Sequence, residues 1–217
     1  MSFQNLVTCA QKYFPDLQIK YKNESLFMKL LSKLLFFNKG FATSYTTTIG
    51  STIYFPTEAF VKSRPISSIV VLLHELVHIK DSYKYTKPLF SFLYLTPQIL
   101  FLVCLPLLLI SWKIAIPLML FFALPIPSFF RMHFEKRAYI ASLYVLQKLS
   151  IRMNFNAELD KQKDYFLQQF KNSYYYYMWV FKNINKDFDY ALIKIKSGER
   201  PYNDSVFDIL DDLIIKA

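Results

Sequence analysis

An α+β chain carrying an inserted transmembrane helical hairpin is what three features of this 217-residue sequence predict. Short segments alternating apolar and polar residues lie before position 57, a helical pattern containing HELVH follows, and an almost uncharged apolar run then extends from Leu89 to Phe130. These features divide the chain into residues 1–88, 89–130 and 131–217. The outer two are expected to be halves of one catalytic domain, the first with a small antiparallel sheet and the HExxH helix, the last helical.

Composition supports the division. Hydrophobic residues make up 53% and aromatics 18%, an apolar share above that of ordinary soluble domains, so the excess has to be located. A net charge of +10 fits either nucleic acid or an anionic membrane surface. The sequence has no nucleic-acid motif, Gly-rich phosphate loop, CxxC or internal repeat, so no nucleic-acid partner is expected. Cys9 and Cys104 are too few for a disulfide framework, which points to a reducing compartment. The first residues lack the pattern of a signal peptide, so membrane insertion is expected to use an internal segment.

The first elements follow from period and turn chemistry. Leu17 to Lys22 alternates, and Ala42 to Pro56, rich in Thr, Ile and Tyr, has Gly50-Ser51 at its middle like a two-residue hairpin turn; together they predict three short antiparallel strands. Between them, Ser25 to Gly40 is apolar with Lys29, Lys33 and Lys39. It fits either an amphipathic helix on an anionic leaflet or a core-facing helix with solvated lysines. Pro65 suits the first turn of a helix running through Ile69, Leu73 and Val77 to about Asp81.

That helix contains His74, Glu75 and His78. Histidines four residues apart point to the same side, where both imidazoles can bind one ion, while Glu75 projects from an adjacent stripe toward a water on that ion. With Zn²⁺ as the cofactor and Glu75 as general base, the arrangement implies hydrolysis of a polypeptide. The competing reading is a packed histidine pair with Glu75 salt-bridged to a lysine.

The apolar run from Leu89 to Phe130 has Lys113 as its only formal charge and divides at Ser111-Trp112-Lys113 into one full-length span and one shorter, proline-rich span. Lys80, Lys84 and Lys87 precede it and Arg131, Lys136 and Arg137 follow it. The positive-inside rule therefore predicts a two-span protein in the lipid bilayer with both termini and the site cytoplasmic. A pair of helices buried in a soluble core is the alternative.

The segment from Arg131 to Leu149 supplies the third metal ligand. Glu135, Ala138, Tyr139 and Ser142 share one helical face whose small residues permit a close approach to the HExxH helix, whereas His133 points almost the opposite way. Glu135 is the preferred ligand, with His133 and Asp81 as alternatives; Asp81 is better placed to hydrogen-bond a ligand histidine. Farther on, residues 155–185 show helical spacing with Tyr174 to Tyr177 in a row, and Ser205 to Ala217 fits a closing amphipathic helix.

HELVH, a membrane hairpin and then Glu135-Lys136-Arg137-Ala138 resemble the gluzincin metallopeptidases, in particular the membrane-embedded branch that contains the prenyl-protein protease and the heat-shock membrane protease. The resemblance spans roughly residues 40–150. It implies a zincin-like fold and a zinc endopeptidase with His74, His78 and Glu135 as ligands and Glu75 as base. The family usually has Asp four residues after the ligand glutamate, where this chain has Tyr139. Tyr139 is therefore expected either to replace that hydrogen bond or to stabilise the oxyanion. The short architecture also resembles HExxH proteins of tailed bacteriophages; site-2-type intramembrane proteases are less similar. The rival function class is a membrane-anchored structural or interaction protein, virion-associated in the phage setting, whose zinc site is inactive or purely structural.

Overall fold

Ser2 opens the first helix, α1 (Phe3–Tyr13), by accepting the Asn5 N–H at its N-cap. The chain then forms β1 (Gln18–Tyr21), α2 (Leu26–Leu34), β2 (Thr47–Ile49) and β3 (Thr52–Phe55). The computed structural model describes residues 2–34, 40–124, 126–171 and 183–216. Tyr174 to Tyr177, Pro125 and residues 35–39 of the Ser25–Gly40 segment lie outside them.

The hairpin between β2 and β3 is as expected, with Gly50 at φ 61° making the tight turn and Thr48 opposite Ile53. The expected all-antiparallel sheet is corrected. Its order is β1-β3-β2, and β1 runs parallel to β3 with Ile19 opposite Ile53. The long connection over residues 22–46 carries the chain past one strand position, which β3 then fills. Alternation in a sequence reports which face a strand buries but not which neighbour it pairs with.

After the short helix α3 (Glu58–Ser63) comes α4 (Pro65–Tyr85), with proline at its start as the missing N–H allows. Leu72, Leu73, Leu76 and Val77 of α4 are fully buried. They pack on the other long helix, α8 (Phe129–Met153), where Ala138, Ala141 and Ser142 are also buried and keep the helices close. Truncating any of those leucines to alanine would cost about 2–5 kcal/mol. Three further helices, α9 (Leu159–Lys171), α10 (Ile184–Lys196) and α11 (Val206–Lys216), surround α8. Of these, α11 is the amphipathic closing helix, burying Val206, Phe207, Leu210, Leu213 and Ile214.

Between α4 and α8 the apolar run folds into α5 (Lys87–Leu95), α6 (Leu100–Val103), a 3₁₀ turn (Leu105–Leu109) and α7 (Trp112–Ala123). No single helix among the described residues is long and apolar enough to cross a membrane. In place of the expected full-length span, Lys87–Leu95 and Leu100–Leu109 meet at a bend of 97°. Proline explains the break: Pro97 has no N–H and forces Thr96 into an extended conformation, ψ 136°, and Pro106 lies in the 3₁₀ turn. The base of the hairpin is tied by Ser128 Oγ donating to Thr96 O at 2.5 Å and Gln98 Nε2 donating to Ile126 O at 2.7 Å.

These helices are largely exposed among the described residues. None of α5 is buried, Ala115 alone is buried in α7, and the tip residue Leu109 is 92% exposed. The first helix of the run nevertheless turns back on the protein. Thr86, a β-branched residue at φ 66°, makes the sharp corner between α4 and α5, and a conformation that unfavourable persists only where the surroundings over-determine it. Its consequence is that α5 packs against both α4 and α8.

Candidate metal centre

His74 and His78 stand one turn apart on α4, their ring centroids 5.0 Å apart, and Glu135 reaches them from the second turn of α8. The Nε2 atoms of His74 and His78 lie 3.5 and 3.6 Å from Oε2 and Oε1 of Glu135. These separations are long for hydrogen bonds. They suit two atoms bound to one ion instead: ligands ~2.0–2.1 Å from a tetrahedral zinc lie about 3.4 Å from each other. One ligand atom from each of the three residues falls within 4.8 Å of the others.

Burial sharpens the test of fit. Both His78 ring nitrogens and Glu135 Oε2 are buried without a hydrogen-bond partner, a condition that native interiors rarely leave unsatisfied. Burial pushes the Glu135 carboxyl up, but His78 and His74 outweigh it and hold the group well below the usual carboxylate range. Burial likewise pushes the His78 imidazole down, and Glu135, helped by Glu75 and Asp81, reverses this and leaves it raised. An anionic carboxylate between two imidazoles, with His78 Nε2 and Glu135 Oε2 unpartnered, fits a divalent zinc ion.

Neighbouring side chains hold each candidate ligand. Ser142 Oγ donates to Ala138 O at 2.9 Å, so at 3.1 Å from His74 Nδ1 it accepts that ring's N–H. The shared proton fixes the tautomer and turns the Nε2 lone pair toward Glu135. The Tyr94 hydroxyl donates to Glu135 Oε1, its ring lies edge-on to His78 at 5.8 Å, and the Arg131 guanidinium sits 4.7 Å above it. Tyr94 belongs to α5, so part of the run over residues 89–130 forms a wall of the site.

The candidate base, Glu75, has its own support. Glu75 is half-buried, and its Oε2 accepts a 2.7 Å hydrogen bond from Thr48 of β2, one of the two edge strands. Among the described residues Glu75 makes no ion pair with a lysine. Lys22, buried nearby, instead donates to Phe41 O at 2.6 Å and Tyr45 O at 2.7 Å and lies 4.0 Å over the Phe41 ring. Burial pushes its pKa down to about 8, against the opposing pull of Glu75. Its ammonium pins the turn that leads into β2.

Other expected residues take different places. Asp81 does not hydrogen-bond a ligand histidine; the fork of Arg137 captures it and also holds Asp204 at 2.8 Å. A guanidinium offers several charge-assisted donors where a neutral imidazole offers one. Asp81 still acts on His78 through its charge. The Tyr139 ring packs edge-on against His74 at 4.7 Å and, tilted, against Phe166 at 4.5 Å, a buttress for the candidate ligand. His133 is exposed and stacks on Phe129 at 6.4 Å, apart from the ligand group.

No family model, curated protein or solved structure matches this chain. Chemical geometry is therefore what defines the site.

Proposed function

We propose that the protein is a membrane-associated zinc metallopeptidase of gluzincin type, with His74, His78 and Glu135 as ligands and Glu75 as general base. The observation that carries this reading is the meeting of three ligand side chains from two helices beside a half-buried glutamate that a threonine holds in place. A Zn²⁺ held by His74, His78 and Glu135 would supply Lewis acidity, acidifying the attacking water and polarising the scissile carbonyl. Glu75 then takes the proton from the attacking water and delivers it to the leaving nitrogen. Thr48 keeps the Glu75 carboxylate aimed, while Ser142 and Tyr94 keep His74 and Glu135 oriented. Tyr139 limits the movement of the His74 ring.

Polypeptide is the substrate class that the surroundings favour. The outer edge of β2 has no strand partner among the described residues, and an extended peptide can add to such an edge beside Thr48 and Glu75. Lipid is the partner that the exposed side chains of α6 and α7 favour, because an apolar surface of this extent is unfavourable in water. With its cationic flanks on the cytoplasmic side, the hairpin enters the bilayer tip first and returns. At 12 residues α7 is about 18 Å long, so in the bent form it reaches roughly halfway through ~30 Å of hydrocarbon.

The test is to purify the chain in detergent, measure bound zinc, and compare cleavage of an unfolded protein by the wild type and Glu75→Gln. The variant should keep its zinc and lose roughly 10²–10⁴-fold in rate. Full activity without the carboxylate would overturn the assignment, and zinc without activity in the wild type would favour a structural site.

A further inference from the structure

Helix α2 is turned inside out for a protein in water. Met28 is buried, whereas Leu26, Phe27 and Leu30 are 83%, 56% and 68% exposed. At 100° per residue those three side chains occupy one arc of about 100°, with Met28 on the opposite side. Lys29 and Lys33, one turn apart and both exposed, border the arc, and the helix contains no acidic residue. The apolar stripe that would normally face the core therefore faces outward beside two cations. Within the described part of the segment, this favours the interfacial alternative over the core-facing one.

We propose that α2 is a second, interfacial membrane anchor that lies along an anionic bilayer surface, with Leu26, Phe27 and Leu30 among the acyl chains and Lys29 and Lys33 at the lipid phosphates. Charge complementarity selects this occupant: an apolar face flanked by lysines and free of acids matches the negative surface of a lipid leaflet. A nine-residue helix binds such a surface weakly by itself. The hairpin supplies the missing affinity by holding the chain at the bilayer, which converts docking of α2 into an intramolecular step. The inference rests on the membrane part of the proposed function and not on the metal centre.

Site-directed spin labelling of the full chain tests it. In a Cys9→Ser/Cys104→Ala background, one nitroxide is placed at Phe27→Cys and, separately, one at Leu109→Cys on the hairpin. Each protein is reconstituted into phosphatidylcholine vesicles with or without phosphatidylglycerol. The label at 27 should shift from collisions favouring a water-soluble nickel complex to collisions favouring oxygen when phosphatidylglycerol is present. Adding Lys29→Gln and Lys33→Gln should weaken partitioning of the helix roughly 30-fold and return the label to water. A label at 27 that favours nickel with anionic lipid present overturns the proposal. So does oxygen preference that ignores both phosphatidylglycerol and the lysines, or dipolar coupling showing that a second copy covers the face. The label at 109 separates the two readings: lipid contact at 109 with water contact at 27 removes only the second anchor, whereas water contact at 109 removes the hairpin insertion itself.

Discussion

Removing the Tyr94 hydroxyl, by Tyr94→Phe, probes the point at which the apolar segment touches the metal centre. The hydroxyl donates to Glu135 Oε1, while Oε2, without a hydrogen-bond partner and 3.5 Å from His74 Nε2, is left for the ion. A hydrogen bond to a buried charged group contributes about 1.5–3 kcal/mol. Loss of a group that orients a metal ligand typically costs ~10–100-fold in affinity, or about 1.4–2.7 kcal/mol, so two independent estimates agree. Phenylalanine keeps the edge-on contact with His78 and the packing on Phe90, 5.8 Å from each ring, so the fold should be unaffected. Competition against a chromophoric chelator should show the zinc Kd rising ~10–100-fold with an unchanged melting curve. An unchanged Kd would refute the idea that α5 belongs to the site, and a tighter one would mean that the tyrosine competes with the ion for the carboxylate.

Ser142→Ala removes the acceptor that fixes the His74 tautomer, and zinc affinity measured by the same competition should fall ~10-fold while the buried α4–α8 seam stays packed. Lys22→Met tests the buried ammonium through pH. The folded-state pKa of Lys22 lies at about 8 against an ordinary 10.5, so between those values the unfolded chain binds the extra proton and wild-type stability rises with pH. Relative to Lys22→Met, the wild type should gain up to about 3 kcal/mol of unfolding free energy from pH 7.5 to 10.5 in denaturant titrations. A flat difference would show that burial does not depress the Lys22 pKa and that the ammonium keeps its proton there as it does in water.

What could be read from the sequence is what depends on local spacing. His74 and His78 share a face because they are four residues apart, and Glu135 stands with Ala138 and Ser142 for the same reason. The hairpin turn at Gly50 and the amphipathic α11 are likewise local. The rest depends on tertiary placement. Nothing in the run around Tyr94 distinguishes that tyrosine from its apolar neighbours until Thr86 turns α5 back over the site. Thr48 lies among several threonines, and only the position of β2 beside α4 selects it for Glu75. Asp81 has the spacing of a histidine partner, but Arg137 from another helix captures it. The parallel pairing of β1 was similarly invisible, since period two carries no information about neighbours. Hydropathy located the exposed apolar surface, but it could not weigh Pro97 and Pro106 against a straight helix.

The most direct test of the central claim, that His74, His78 and Glu135 bind one zinc ion, is metal content per chain in the wild type, Glu135→Ala and His133→Ala, purified side by side in detergent with zinc supplied. The account predicts a zinc ion per chain in the wild type and in His133→Ala, whose side chain is exposed beside Phe129, and sharply reduced zinc in Glu135→Ala. Full zinc in Glu135→Ala together with its loss in His133→Ala would contradict it.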